Sequence, residues 1–416
     1  MDHQAREAAP GSATRRFLTG AGAVTAGSML ANIAAYLLHL PASRWLGPEG
    51  YGAFAALLSA QLLVAVPSLA LQAVVAREYV RGVATEPLHA LGRRVALLVG
   101  LVAALAVVPV SLLLDTPVLA TAAALAPGPV LCLLTAEQGL LQGAERFRAL
   151  GLVLALAGAG KVVPAVAVLA AGGGVGAALA AGAVGVTIAW GVAARIRAAP
   201  ARQTTIRATT RPAASSPGAG VVSSPGVAAV IAAGQVQLVM MALTSVDLLL
   251  ARALLSPEDA GRYALGAVAA KAAFWLPQAV GTVLYPRMAD PAGHRGAVRY
   301  AVGVLLGIGT VVVIGAAVAA PLAPLLVGED YRPVTGLLWA FAALGVTLSV
   351  LQAFLLASIA SDRTVEAGIA WGGLVLTAVA VWAAPREVEA VLAATLTVVA
   401  LTTIAAGWRA MRGRPA

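Results

Sequence analysis

The chain has 416 residues, 60% of them apolar and only 11% charged, with a formal net charge of +10. Soluble domains carry roughly 25% charged residues, so water is not the main solvent for most of this chain and a soluble enzyme is excluded. The positive charge is arginine spread between apolar runs, with no basic domain outside them, which points to anionic inner-leaflet lipid and away from nucleic acid.

Apolar runs of 18 or more residues recur almost to the C-terminus, each long enough to cross about 30 Å of hydrocarbon as a helix. Helices are the natural way to cross, because backbone groups left unpaired in lipid cost several kcal/mol each, and the short alternating segments of a membrane β-barrel do not dominate here. The first six spans are predicted near 17–40, 53–75, 95–114, 118–142, 150–171 and 175–194. The second six fall near 226–250, 263–286, 299–322, 334–359, 366–383 and 388–406. Residues 1–16 and 409–416 form cytoplasmic tails, and 195–225, rich in Arg, Thr, Ser, Pro and Ala without one carboxylate, reads as a disordered cytoplasmic linker. It separates an N-lobe, 17–194, from a C-lobe, 226–408.

Charge tests this plan, because basic residues of short loops gather on the cytoplasmic side. With the N-terminus inside, inner segments hold 21 arginines and outer ones 5: Arg44, Arg252, Arg262, Arg332 and Arg386. The expectation is a multi-pass protein of the cytoplasmic membrane with both termini inside. Thr14-Arg15-Arg16-Phe17-Leu18 approaches a twin-arginine export signal but lacks the usual spacer, so it is read as a positive-inside anchor.

The halves share a pattern. Gly47-Pro48-Glu49-Gly50-Tyr51-Gly52-Ala53-Phe54-Ala55 aligns with Ser256-Pro257-Glu258-Asp259-Ala260-Gly261-Arg262-Tyr263-Ala264 at an offset of 209, which also pairs Val74-Val75 with Val283-Leu284. An even number of spans separates the copies, so they share one orientation and are related by an axis along the membrane normal. The expected fold is all-α, about twelve transmembrane helices in two parallel six-helix lobes around a central cavity.

Only two lysines occur, Lys161 and Lys271, one per lobe, and both fall near mid-span. A cation there costs at least about 2.5 kcal/mol unless it faces water, a partner or a ligand. Facing the inter-lobe cavity, both would hold an anionic group such as a phosphate or diphosphate; the alternatives are pairing with a carboxylate or snorkelling. Glu137 and Asp247 are the candidate partners and, being intramembrane carboxylates, the candidate H⁺ or Na⁺ coupling sites. Among neutral amides, Gln235 and Asn32 are candidates for lining the cavity, although interhelical hydrogen bonds explain such residues equally well. Cys132 serves packing, the four histidines form no metal-ligand set, and no phosphate-binding loop is present, so no cofactor or metal is expected.

Arg44-Trp45-Leu46-Gly47-Pro48-Glu49-Gly50-Tyr51-Gly52, after a span opening Phe17-Leu18-Thr19-Gly20, resembles the start of Wzx-type polysaccharide-biosynthesis flippases. Gln142-Gly143-Ala144-Glu145-Arg146-Phe147, Asp247 to Ala251 and Tyr285-Pro286-Arg287 extend the likeness over nearly the whole chain. The resemblance implies membership of the multidrug/oligosaccharidyl-lipid/polysaccharide exporter superfamily. It also implies a monomer that moves a polyprenyl-diphosphate-linked glycan to the outer leaflet by alternating access, in contact with membrane lipids. The family's cationic cavity carries over only to Lys161 and Lys271. The closest rival is an ion-coupled multidrug or metabolite antiporter, but its proton-coupled branch places an Asp in the first helix, where this chain has Asn32 and His39. A major-facilitator transporter would carry a Gly…Asp-Arg-x-Gly-Arg run after its second helix. A membrane glycan polymerase would need a sizeable outer loop. Neither is present.

Overall fold

A computed structural model describes residues 10–199, 226–275, 294–360 and 365–412, with side chains at 22–199, 226–275, 296, 299–357 and 368–410. Most of the predicted linker, together with Val283-Leu284 and Tyr285-Pro286-Arg287, lies outside the described residues. Every element among them is helical.

The N-lobe comprises α1 (Pro10–Leu37), α2 (His39–Val80), α3 (Thr85–Leu114), α4 (Val118–Leu125), α5 (Pro127–Gly143), α6 (Phe147–Ala170) and α7 (Val175–Ala198). The C-lobe comprises α8 (Val227–Leu243), α9 (Val246–Leu254), α10 (Pro257–Trp275), α11 (His294–Ala319), the short α12 (Ala323–Val327) and α13 (Arg332–Thr335), α14 (Leu338–Ala360), α15 (Val365–Ala383) and α16 (Val388–Arg412). Among the described residues eight helices are long and apolar enough to cross a membrane, nine if the bent pair α8 and α9 counts as one span. One of the eight, Gly22–Val80, covers two of the predicted spans, and α15 and the described part of α10 lie on two more.

Three boundaries differ from expectation. The turn between the first two spans is not a loop of a dozen residues: helix continues through His39–Leu46 and breaks only at Gly47, with φ 65° and ψ 176°. Proline at position 48 disfavours a helical ψ before it, and glycine alone tolerates that positive φ without strain. The seventh span is split, bending by 42° where Thr244 and Ser245 join α8 to α9. There the Thr244 hydroxyl donates to the Met241 carbonyl, competing with the helix ladder. Finally, α7 runs to Ala198, a turn into the predicted linker.

The repeat is visible in the packing. In the N-lobe, α2 packs on α5, α3 on α5, α5 on α7, α6 on α7 and α1 on α6. In the C-lobe the corresponding spans do the same: α10 on α14, α11 on α14, α14 on α16, α15 on α16, and the α8 and α9 pair on α15. Between lobes, α2 packs against α10 and α8. The outer walls are apolar and exposed, as on α3, where Leu97, Leu101, Leu105 and Leu112 face out while Leu88, Leu91, Val95 and Val99 are buried. An exposed stripe of that length is a lipid-facing surface.

Candidate functional site

The two copies of the repeated motif meet at one end of the lobe interface, the end that the arginine pattern predicts to face outward. Gly47 and Ser256 each stand one residue before a proline that opens a helix; Ser256 receives the Asp259 N–H at 3.2 Å, a serine cap. The helices that follow cross at the equivalent residues Gly52 and Gly261. A Cβ on Gly261 would sit 1.8 Å from the Pro48 carbonyl oxygen, and one on Gly52 would sit 2.9 Å from the Gly261 nitrogen. Only hydrogen fits at either position.

Around that crossing, C-lobe donors reach N-lobe acceptors. The Tyr331 hydroxyl donates to the Ser43 carbonyl at 3.2 Å. The Arg252 guanidinium donates to the Leu114 and Asp115 carbonyls at 3.0 and 3.2 Å, and the Lys271 ammonium donates to Ser59 Oγ at 2.8 Å. Burial, with a smaller contribution from Asp330, pushes the Tyr331 hydroxyl above its ordinary value, so it stays a donor. This outer seam is closed.

Beneath it lies a cavity of about 160 Å³ lined from both lobes by Asn32, Tyr36, His39, Ser59, Thr244 and Lys271 with apolar neighbours. Its lining reflects the repeat: Ser59 and Val268 are equivalent at the offset of 209, as are Leu62 and Lys271, and all four line it. Lys271 therefore replaces a leucine at a position where the other lobe does without charge. Among the described residues no carboxylate pairs with it.

The other candidates are placed as follows. Lys161 is partly buried on α6 and is not among the residues lining this cavity; its stem lies beside Gly182 of α7. His39, its ring nitrogen Nδ1 3.1 Å from the Tyr51 hydroxyl, is within electrostatic reach of both lysines, so both charges act on one region. Asn32 lines the cavity, whereas Gln235 is exposed on α8 and does not. Glu137 is buried where α3, α5 and α7 meet, paired with the Arg197 guanidinium and 3.3 Å from His89. The Arg197 contact engages one carboxylate oxygen, whereas the His89 nitrogen facing the other makes no hydrogen bond. Arg146 donates to the Ile196 and Arg197 carbonyls, each at 2.9 Å, fixing the end of α7 from which the chain leaves the lobe.

Asp247 differs. It opens α9, is 3% exposed, and accepts the Tyr263 hydroxyl on Oδ2 at 2.9 Å, while Oδ1 has no hydrogen-bond partner. The equivalent N-lobe residues are Leu38 and Phe54, both buried and apolar. The fold does not require a polar pair at this place. Ser59, His39, Tyr263, Tyr331 and Arg252 were not singled out as site residues from sequence. Only the last two of the motif positions, an aromatic and an alanine matched in register, hinted at Tyr263.

No family model and no curated protein matches the sequence. Solved structures do match. One described as an inward-facing multidrug resistance MATE-family transporter of the MOP superfamily superposes with a TM-score of 0.65 at 15% identity, over 92% of this chain and 93% of that one. The fold is that of the MOP-superfamily transporters. The lipid II flippase MurJ, in an inward closed conformation, gives 0.67 at 10% identity over 92% of this chain and 86% of that one. A MOP-superfamily transporter from Pyrococcus furiosus, described as having a binding pocket of reversed polarity, gives 0.55 at 15% identity over 94% of each chain. The chain is a multi-pass membrane protein with this fold.

Proposed function

We propose that this protein is a flippase that carries a polyprenyl-diphosphate-linked oligosaccharide across the cytoplasmic membrane by alternating access between its lobes. The observation that carries the reading is Lys271: an ammonium within a predicted span that lines the inter-lobe cavity and, among the described residues, bonds a neutral hydroxyl across it with no carboxylate paired to it. At least about 2.5 kcal/mol of insertion cost is tolerable there if the cavity takes up an anionic group, and a lysine is a point-charge binder of phosphate. Lys161, outside the cavity lining, adds a second positive charge acting on the same region, and Asn32 offers a neutral amide to sugar or phosphate oxygens. The lipid tail would lie between the lobes in contact with membrane lipid. One protein of the same fold is a lipid II flippase.

The enclosed volume decides a further point. Pockets for drug-sized ligands run from roughly 300 to 1,000 Å³, so 160 Å³ holds a headgroup and not the whole cargo. The lobes must part for entry and exit. For coupling to H⁺ or Na⁺, Asp247 is the better candidate than Glu137, because it is held by a neutral tyrosine hydroxyl while Glu137 is tied to the Arg197 guanidinium.

The test is uptake of a fluorescent lipid-linked oligosaccharide by proteoliposomes. Transport of it, lost in Lys271→Gln at normal expression, supports the reading; normal transport in that variant removes it. A second reading, an ion-coupled multidrug antiporter, is favoured by the MATE-type fold and the buried Asp247. Against it, α1 contains no carboxylate. Efflux of cationic dyes with no movement of the glycan lipid would select it.

A further inference from the structure

Lys271 faces two acceptors and uses one. Across the lobe interface it donates to Ser59 Oγ at 2.8 Å. On its own side it lines a second, much smaller space of about 10 Å³, together with Asp247, Thr244, Phe274, Leu344 and Leu348. That is room for about one water molecule. The Asp247 oxygen Oδ1, buried and without a hydrogen-bond partner, belongs to the residue lining this space, and the two charges are within electrostatic reach of each other. A buried carboxylate oxygen lacking a donor is costly, and more so when charged. Around Asp247 stand Tyr263 of α10, which already donates to Oδ2, the backbone N–H groups of Asp247 and Leu248 at the start of α9, and neutral or apolar side chains of the α8–α9 bend, α10 and α14.

We propose that Lys271 is a two-position latch: it holds the lobes together through Ser59 while the outer seam is closed, and swings to Asp247 Oδ1 when they separate. Parting of the lobes carries Ser59 away with α2. The ammonium then loses the Ser59 acceptor, and in its own lobe the space it lines also holds the carboxylate of Asp247. The exchange trades a neutral hydroxyl for a charged partner, so two discrete arrangements of one side chain become comparable in free energy, as a switch requires. A proton or Na⁺ on Asp247 removes the second position and returns the lysine to Ser59. An anionic cargo competes with both. The N-lobe has no counterpart, since Leu38, Phe54 and Leu62 occupy the equivalent places.

The inference rests on alternating access, and its test is independent of cargo. Spin labels at Ala171→Cys and Glu387→Cys, both exposed on outer connections of opposite lobes, in a Cys132→Ala background, report the width of the outer end in detergent without substrate. Ser59→Ala should raise the ratio of wide to narrow populations about threefold or more, the value of one lost hydrogen bond. Asp247→Asn should lower it below that of the parent. Each variant is a separate reading, so failure of one to fold leaves the other decisive. An unchanged distribution in Ser59→Ala, or a shift of Asp247→Asn towards the wide population, overturns the latch. Shifts of the expected sign in a protein that moves no lipid-linked glycan keep the latch and discard the cargo assignment; transport of the glycan with unmoved distances does the reverse.

Discussion

Three ionisable residues placed in membrane spans have different fates, and their neighbours explain why. Glu137 is closed into a cluster with Arg197 and His89. Breaking a buried pair strands the remaining charge, but Arg197 keeps 30% of its side chain exposed, so water takes up part of the loss. Glu137→Gln should therefore lower unfolding stability by about 1–3 kcal/mol, read as a falling melting temperature in detergent, with the ion-gradient dependence of transport retained. Asp247 is buried beside a tyrosine, with an oxygen to spare. Asp247→Asn is expected to fold and to transport without responding to a pH or Na⁺ gradient; full retention of gradient dependence in proteoliposomes would clear it of coupling. Lys271, with no carboxylate closing on it among the described residues, is the one that faces the cavity.

At the scale of elements, the repeated motif was legible because backbone geometry demanded it. A helix opening on proline needs a cap or a glycine before it, and a close helix crossing needs small residues, so Gly47-Pro48, Ser256-Pro257, Gly52 and Gly261 left their mark on the sequence. Gly261→Val would place side-chain atoms inside the Pro48 backbone. The crossing must shift at a cost of about 1–3 kcal/mol or more, and cysteines placed on the cavity wall should become reactive to a membrane-impermeant thiol reagent from outside. Continued protection at wild-type stability would show that the crossing does not close the seam. The bend between α8 and α9 was not legible, since neither proline nor glycine marks Thr244-Ser245. Nor was the difference between the lysines. Apart from the lysine, the residues around each one are apolar or small, as in Gly158–Val163 and Val268–Phe274, so the face turned to the cavity is chosen by packing and not by an amphipathic pattern.

At the scale of the whole molecule, composition and the recurrence of apolar runs were enough for the helical class and for about twelve helices in two lobes, because lipid as solvent leaves few alternatives. The packing of equivalent spans in the two lobes repeats pair by pair. Contacts between distant parts, such as Tyr331 reaching Ser43 or Arg252 reaching the end of α3, depend on how the lobes dock and have no local signature. The same fold serves multidrug and lipid-precursor transporters, so cargo must be argued from the cavity. Its charge is the deciding property. The most direct measurement is binding of a short-chain polyprenyl diphosphate to the purified protein by calorimetry, compared with its uncharged alcohol. The account predicts saturable binding of the diphosphate, weakened about tenfold or more by Lys271→Gln (one bidentate or charge-assisted contact, roughly 1.5–3 kcal/mol), and none of the alcohol. Equal affinity for diphosphate and alcohol, or an affinity untouched by the substitution, would contradict it.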